Sequence, residues 1–381
     1  MKIKQLGILG GGQLAKMLAL SAQSLNIPVT CFESVTVENP CAAEVARVIP
    51  VDFSQLSNLP PMDWLTFETE NIPVAIAKIL AESSCFYPPV QALALTQDRL
   101  FEKTLFTELN IPTPQYFNIA TLDDLVLALA TLKNDAVLKT RTLGYDGKGQ
   151  CIIKWQGNLD NTVNIAKAAY LSLSHGDRPT PLILESFVEF DYEVSLISVR
   201  DQLGHIAYYP LTKNTHQSGI LILSEAPFTK ANPAEPEDLL KQAQSHAEKM
   251  LNKLNYVGVL AIEFFVKNNR LIANEMAPRV HNSGHWTIEG AQTSQFENHI
   301  RAVCGLALGP TEAIGFSAMK NIISILPTKE QIIKLTHSPG MYLHLYGKSP
   351  KPQRKLGHIT LCADSIDKLK KLIFACDAIL L

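Results

Sequence analysis

The segment Val259-Leu260-Ala261-Ile262-Glu263-Phe264-Phe265-Val266, then Lys267-Asn268-Asn269, then Arg270-Leu271-Ile272-Ala273-Asn274-Glu275-Met276, reads as a β-hairpin: two apolar strands joined by turn residues. Each strand carries one carboxylate. If the loop centres on Asn269, Glu263 and Glu275 oppose each other on one face, whereas a one-residue slip sends them to opposite faces. Opposed like charges repel, so the pair needs a proton, a basic partner or a cation, and oxygen ligands next to a phosphate loop suit Mg²⁺. The competing reading is two edge carboxylates facing water, which the apolar character of the strands disfavours.

Downstream, Ala277-Pro278-Arg279-Val280-His281-Asn282-Ser283-Gly284-His285-Trp286 packs polar donors into a loop punctuated by proline and glycine. Arg279 can grip a planar carboxylate or bicarbonate with two hydrogen bonds. His281 can move a proton near neutral pH. Upstream, Gly144-Tyr145-Asp146-Gly147-Lys148-Gly149-Gln150 lies between the strand-like runs Ala136–Lys139 and Cys151–Ile153. A glycine hairpin of this kind can close over a triphosphate, its N–H groups and lysine ammonium meeting phosphate oxygens. It is not a P-loop, which would lead into a helix, and a surface hairpin with a solvated lysine is the bland alternative.

The N-terminus opens as βαβ: a buried strand Gln5–Leu9, the turn Gly10-Gly11-Gly12, a helix over Gln13–Leu25 and a second strand Pro28–Glu33. Gly10, Gly12 and Ala15 satisfy G-x-G-x-x-G/A and Glu33 stands near the ribose-acid position, which taken alone favours a dinucleotide. This unit extends to about residue 95, a second region begins near Thr96-Gln97-Asp98-Arg99, and the chain changes character from about 310. Near the C-terminus, Lys348, Lys351, Arg354, Lys355 and His358 gather positive charge between two strand-like runs, as for a phosphate-bearing small ligand; a solvated basic loop is the commoner meaning of such a run.

Composition agrees with a folded chain that has ample material for buried cores. The 381 residues are 46% hydrophobic and 18% charged with a formal charge of −2, enough material for two or three domains, and neither a disordered chain nor a nonspecific nucleic-acid binder. Seven cysteines without metal-ligand spacing suit a reduced interior. No signal peptide and no membrane span are apparent, so a cytoplasmic location without membrane or nucleic-acid partners is expected.

Taken together, Gly144–Gln150, Glu193-Val194-Ser195-Leu196, the block Asn274–Trp286 and Arg354-Lys355-Leu356-Gly357-His358 resemble the N5-carboxyaminoimidazole ribonucleotide synthetase family of ATP-grasp enzymes, in order along nearly the whole chain. The resemblance implies an α/β protein with an ATP-grasp fold. Its N-terminal domain, 1–95, would be Rossmann-like (pre-ATP-grasp). The ATP-grasp domain would span 96–308 with a lid subdomain at 112–190, and a small mixed α/β C-terminal domain would take 309–381. It also implies ATP and Mg²⁺, bicarbonate and 5-aminoimidazole ribonucleotide as small-molecule partners, and a homodimer.

By the same resemblance, Arg99, Lys139, Gly144, Tyr145, Asp146, Gly147, Lys148, Gly149, Gln150 and His216 contact ATP; Glu185, Ser186, Phe187 and Val188 form the adenine strand, and Glu193 holds the ribose. Glu263 and Glu275 hold the metal with Asn274 beside them. Arg279, His281 and Asn282 surround bicarbonate and carboxyphosphate, with His281 taking the proton as the amine attacks. The ribonucleotide sits between the N-terminal glycine turn, Gln13, Tyr145, Lys348, Arg354 and an acidic residue of Thr66-Phe67-Glu68-Thr69-Glu70, with Glu70 preferred to Glu68. Gly10–Gly12 then serve the substrate's phosphate region. Ala15 and Lys351-Pro352-Gln353-Arg354 depart from the family pattern.

Rival readings are another ATP-grasp ligase, such as a biotin carboxylase or a formate-dependent glycinamide ribonucleotide transformylase, an NAD-dependent dehydrogenase, and a noncatalytic nucleotide-binding module. A dehydrogenase leaves the Glu263/Glu275 pair unexplained; a noncatalytic module requires loss of those carboxylates or of Lys139.

Overall fold

The computed structural model describes residues 4–53, 59–142, 144, 149–174, 181–228 and 234–381. Among these, the strands form three sheets. The first is parallel, five strands in which Leu6–Leu9 is central, flanked by Val29–Ser34 and Arg47–Val51 on one side and by Trp64–Phe67 and Cys85–Phe86 on the other. Alternation decides its faces: Leu6 and Ile8 pack with the helix Gln13–Ser24, whereas Leu9 joins Phe32, Leu65 and Phe67 on the opposite side. Connections leave Leu6–Leu9 in both directions, so a crevice opens at the carboxyl ends of Leu6–Leu9 and Trp64–Phe67, the place where doubly wound sheets take ligands.

The second sheet is antiparallel, in the order Tyr116–Ile119, Leu182–Ser186, Ala136–Thr140, Gln150–Ile153, and closes its own core of Leu125, Leu129, Leu138 and Leu184 under two helices. The glycine loop joins its last two strands, as expected of a hairpin. The third is a nine-stranded antiparallel sheet that starts at the hairpin strands Arg270–Ala277 and Gly258–Lys267 and runs through Tyr192–Arg200, Thr212–Gln217 and Ile220–Ala226 into the C-terminal strands Phe316–Ile323, Lys355–Ala363 and Met341–Leu345. The basic C-terminal segment is thus carried by the same sheet as the paired carboxylates. A helix at Val90–Thr96, not anticipated from the sequence, precedes the break at Gln97-Asp98; Asp98 then caps Arg99–Glu108 by accepting from the Leu100 N–H at 2.9 Å.

The hairpin register holds a finding. Asn268 and Asn269, with φ of 50° and 57°, form a two-residue turn with Lys267 opposite Arg270, so the loop does not centre on Asn269. Regular pairing from that turn would put Glu263 opposite Asn274. A bulge intervenes: Phe264 pairs Ala273 and Glu263 pairs Glu275, leaving Asn274 as the extra residue. The carboxylates face each other because of an irregularity that spacing alone does not contain.

A buried histidine ties two sheets together. The Val259 N–H donates to His299 Nδ1 at 3.1 Å, which leaves the proton on Nε2 to donate to Thr66 Oγ1 at 2.8 Å. Burial pushes His299 from its ordinary 6.5 to about 3. Between those values the unfolded chain binds a proton that the folded chain refuses, so this stability is full above pH 6.5 and is lost as the pH falls. We expect His299 alone to account for about 2 kcal/mol lost on going to pH 5. Urea midpoints at pH 7 and 5 should therefore separate less in His299→Gln than in the parent; equal separations would refute the assignment.

Candidate active site

A cavity of about 1050 Å³ is lined by strand residues of the second and third sheets and, from beside the first, by Gln13 at the helix start and the segment Glu68–Pro73 that follows Trp64–Phe67. The hairpin supplies one wall. Arg99 Nη1 lies 3.1 Å from Glu275 Oε2, and the Glu275 side chain keeps 40% of its surface open to the cavity. Burial raises a carboxylate's pKa, but the charge and hydrogen bond of Arg99 outweigh it and hold Glu275 at about 2. Glu263, by contrast, is pushed up to about 7 by burial and then by Glu275. One member of the pair is ionised while its neighbour resists ionisation, the condition a divalent cation relieves. Among the described residues no group of three or more His, Cys, Asp or Glu is arranged to hold a metal. Two carboxylates fit a cation whose remaining ligands come from phosphate oxygens and water, which is how Mg²⁺ is commonly held.

Beyond the carboxylates stand the cations and, adjoining them, Glu193. Lys139 Nζ donates to Glu185 Oε2 at 3.0 Å, and Arg99 Nη2 to the Gly144 carbonyl at 3.3 Å. His216 Nδ1 is 2.7 Å from Glu193 Oε2. Burial would lower His216, yet the hydrogen bond to Glu193 raises it, so this imidazole leans toward the charged form beside carboxylates. Of the ATP residues expected from the sequence, Arg99, Lys139, Gly144, Gln150, Phe187, Glu193, His216, Asn274 and Glu275 line the cavity. Glu185 lies beneath it, almost wholly buried, held at about 2 because Lys103 and Lys139 outweigh burial, with Oε1 bonded to nothing. Gly149, Ser186 and Val188 are not on the cavity wall, and the Phe187 N–H is already donated to the Asp135 carbonyl at 2.9 Å. Tyr145, Asp146, Gly147 and Lys148 lie outside the described residues.

At the switch-point end, Arg279 Nη2 meets Glu70 Oε1 at 2.8 Å while its Nε is buried without a partner. His281 Nε2 lies 3.5 Å from Glu263 Oε1, and its Nδ1 accepts from the Ser283 N–H at 3.4 Å and contacts Ser283 Oγ at 2.9 Å. Burial and then Arg279 push His281 down to about 3, so it is neutral and weakly basic; this geometry suits an orienting hydrogen bond better than the proton transfer expected from the sequence. Asn282 is fixed by reciprocal bonds to Asn321 at 2.7 and 3.2 Å. Lys348 donates to Gln13 Oε1 and, with Lys351, Arg354 and Lys355, lines the cavity.

Two expectations need correction. The glycine turn does not offer its N–H groups to a ligand: Gly11 donates to Glu33 Oε2 at 2.7 Å, Gly12 to Glu68 Oε1 at 2.6 Å and Ala15 to Glu68 Oε2 at 3.0 Å. The protein's own carboxylates occupy the positive end of the helix, so neither a dinucleotide nor the substrate's phosphate gains those donors. A Cβ at Gly10, whose φ is +99°, would come within 2.6 Å of Glu68 Cγ, so this glycine serves the approach of Glu68. Of the two acidic candidates, it is Glu70 that reaches the cavity-lining Arg279. The second correction concerns His358, which is fully buried, hydrogen-bonded at Nδ1 to the Tyr346 hydroxyl at 2.8 Å and held neutral by desolvation, hence no part of the basic surface.

Sequence reasoning missed Glu102 and Lys103, both almost wholly buried beneath the hairpin. A signal was present: with Phe106 they stand at helical spacing i, i+1 and i+4, so they occupy the apolar stripe of Arg99–Glu108.

Comparison with known proteins follows the same division of the chain. Residues 3–97 match the ribonucleotide synthetase preATP-grasp domain, 104–296 the ATP-grasp domain and 317–372 the phosphoribosylaminoimidazole carboxylase C-terminal domain. An N5-carboxyaminoimidazole ribonucleotide synthase of Pseudomonas aeruginosa is 43% identical over 365 residues, covering 94% of this chain and 95% of its own length. The crystal structure of N5-carboxyaminoimidazole ribonucleotide synthetase from Thermus thermophilus aligns with TM-score 0.88 at 42% identity over 99% of this chain and 98% of its own. That of the Aspergillus clavatus synthase, in complex with ADP and 5-aminoimidazole ribonucleotide, aligns with TM-score 0.86 at 27% identity over 99% and 98%. The fold is therefore ATP-grasp, with a preATP-grasp domain before it and the family's C-terminal domain after it.

Proposed function

The chain belongs to the N5-carboxyaminoimidazole ribonucleotide synthase family, and from that premise we infer how its own residues divide the reaction. The enzyme is an ATP-dependent ligase of purine biosynthesis: it carboxylates the exocyclic amine of 5-aminoimidazole ribonucleotide with bicarbonate, releasing ADP and phosphate. A bicarbonate oxygen bonds to the γ-phosphorus as the bond to ADP breaks, giving carboxyphosphate. The amine nitrogen then bonds to the carboxyl carbon, phosphate leaves, and the nitrogen gives up a proton.

In this reading Arg99, Lys139 and His216 meet the phosphates and Glu193 the ribose of ATP. Glu263 and Glu275 would hold Mg²⁺, which when bound draws charge from the transferring phosphoryl group. Arg279, with an unpartnered Nε, stabilises the carboxyphosphate anion; neutral His281 and the clamped Asn282 orient it. Gln13, Glu70, Lys348 and Arg354 hold the ribonucleotide, the phosphate falling to side chains because the turn's N–H groups are engaged. Tyr145 and the rest of 145–148 belong to the same reading, as do the boundaries at 95 and 308, the lid at 112–190, a homodimer and a cytoplasmic location. No helix among the described residues is long and apolar enough to cross a membrane.

The observation that carries the assignment is the convergence of opposed carboxylates, Arg99 and Arg279 on one cavity. Phosphate release from ATP, Mg²⁺ and bicarbonate tests it. We expect release to depend on 5-aminoimidazole ribonucleotide. Turnover indifferent to that substrate would mean the acceptor is wrong, and no turnover would favour a binding module.

A further inference from the structure

The bulge that turns Glu275 toward Glu263 is not stabilised by the hairpin itself. A two-residue turn propagates regular pairing, and an extra residue breaks the ladder. The backbone around the break is instead held from outside. Lys103 Nζ donates to the Asn274 carbonyl at 2.6 Å and reaches the Ala273 carbonyl at 3.5 Å. Glu102 accepts from the Met276 N–H. The Ala273 N–H donates to the Pro112 carbonyl at 2.7 Å, and Thr113 Oγ1 to the Ala273 carbonyl at 2.9 Å.

We propose that Glu102 and Lys103 are positioning residues that impose the bulge at Asn274 and so set the register that places Glu275 opposite Glu263. The two residues are 3% and 1% exposed. Buried polar pairs are poor stabilisers: apolar side chains of similar volume would fasten this helix to the sheet at least as well. Burial pushes the Glu102 carboxyl up and the Lys103 amine down, so what the pair adds is direction, a donor for two carbonyls and an acceptor for one N–H, all within four consecutive residues. Lys103 also lies 3.4 Å from Glu185 Oε2, the oxygen that holds Lys139. Lys139 keeps its own 3.0 Å contact to that oxygen, so the phosphate-facing lysine stays anchored without Lys103.

The inference rests on Glu275 being a cation ligand, so the experiment separates the two. Manganese with ADP serves as probe, by electron paramagnetic resonance and calorimetry, on the full chain carrying Glu102→Leu with Lys103→Met, which removes the acceptor and the donor at similar volume. We expect Mn²⁺-dependent ADP binding to weaken by roughly 10- to 100-fold, as when groups behind metal ligands are removed, with metal-free ADP binding and the KM for the ribonucleotide unchanged. A fold defect would not spare those two. Lys103→Gln, which shortens the reach to Asn274, is the second variant and is read in the same way should the double variant fail to fold. If Glu275→Gln abolishes the manganese effect and a folded Lys103 variant leaves it intact, the positioning role is overturned and the ligand role stands. If Glu275→Gln has no effect either, both are overturned.

Discussion

Replacing Glu275 by Gln should lower ribonucleotide-dependent phosphate release by on the order of 10³-fold, the scale of losing one preorganised electrostatic group at a reacting centre. The change is isosteric, so the hairpin and its bulge persist, and only the charge at the end of the side chain goes. That charge has two partners in the structure. Arg99, 3.1 Å away, loses its counter-ion, and Glu263 loses the like charge that helps push it up to about 7. The site trades a pair poised for a divalent cation for one carboxyl still raised by burial, beside a guanidinium without its counter-ion. Steady-state phosphate release with saturating bicarbonate and ribonucleotide, at several Mg²⁺ concentrations, reads the outcome. A rate within about tenfold of the parent would remove Glu275 from the metal site.

The second large effect is expected at Arg279. Arg279→Lys keeps the charge but not the planar fork, and the two are not interchangeable where two parallel hydrogen bonds are needed. The guanidinium spends Nη2 on Glu70 at 2.8 Å and Nη1 on the Val280 carbonyl at 3.0 Å, while Nε remains free. A lysine ammonium can satisfy Glu70 but has no second, fixed donor for the carboxyphosphate. We expect ribonucleotide carboxylation to fall by roughly 10²-fold with the KM for ATP unchanged, because ATP, on the proposed assignment, binds at the Arg99–Lys139 end of the cavity. Phosphate release should fall less than product formation, since carboxyphosphate that is poorly held breaks down to bicarbonate and phosphate before the amine captures it. A ratio of phosphate to carboxylated product that stays at one would show that Arg279 does not hold the intermediate. A rise in the KM for ATP would place its role at the nucleotide.

Much of this chemistry is written in short stretches of the chain. The turn asparagines Asn268 and Asn269, the apolar alternation on either side and the glycines of 144–150 act on their neighbours, so the hairpin and the loop between strands are legible without a structure. The residue types at Arg99, Lys139, Glu263, Glu275, Arg279 and Lys348 limit what they can bind, and these residues do meet at one cavity.

Other features depend on groups brought together from distant parts of the chain. Glu68 reaches the Gly12 N–H from 56 positions away and converts an apparent phosphate turn into an internal hydrogen bond. His358 stands in a basic run, yet burial keeps it neutral. Lys103 reaches the Asn274 carbonyl across 171 positions. Turn chemistry alone would pair Glu263 with Asn274; the bulge held by Glu102, Lys103, Pro112 and Thr113 pairs it with Glu275. Sequence by itself determined which groups could do the chemistry, because propensity and charge belong to each residue and its neighbours. Tertiary structure decided which way those groups face and whether they are charged, because desolvation and long-range hydrogen bonds exist only once distant segments have packed.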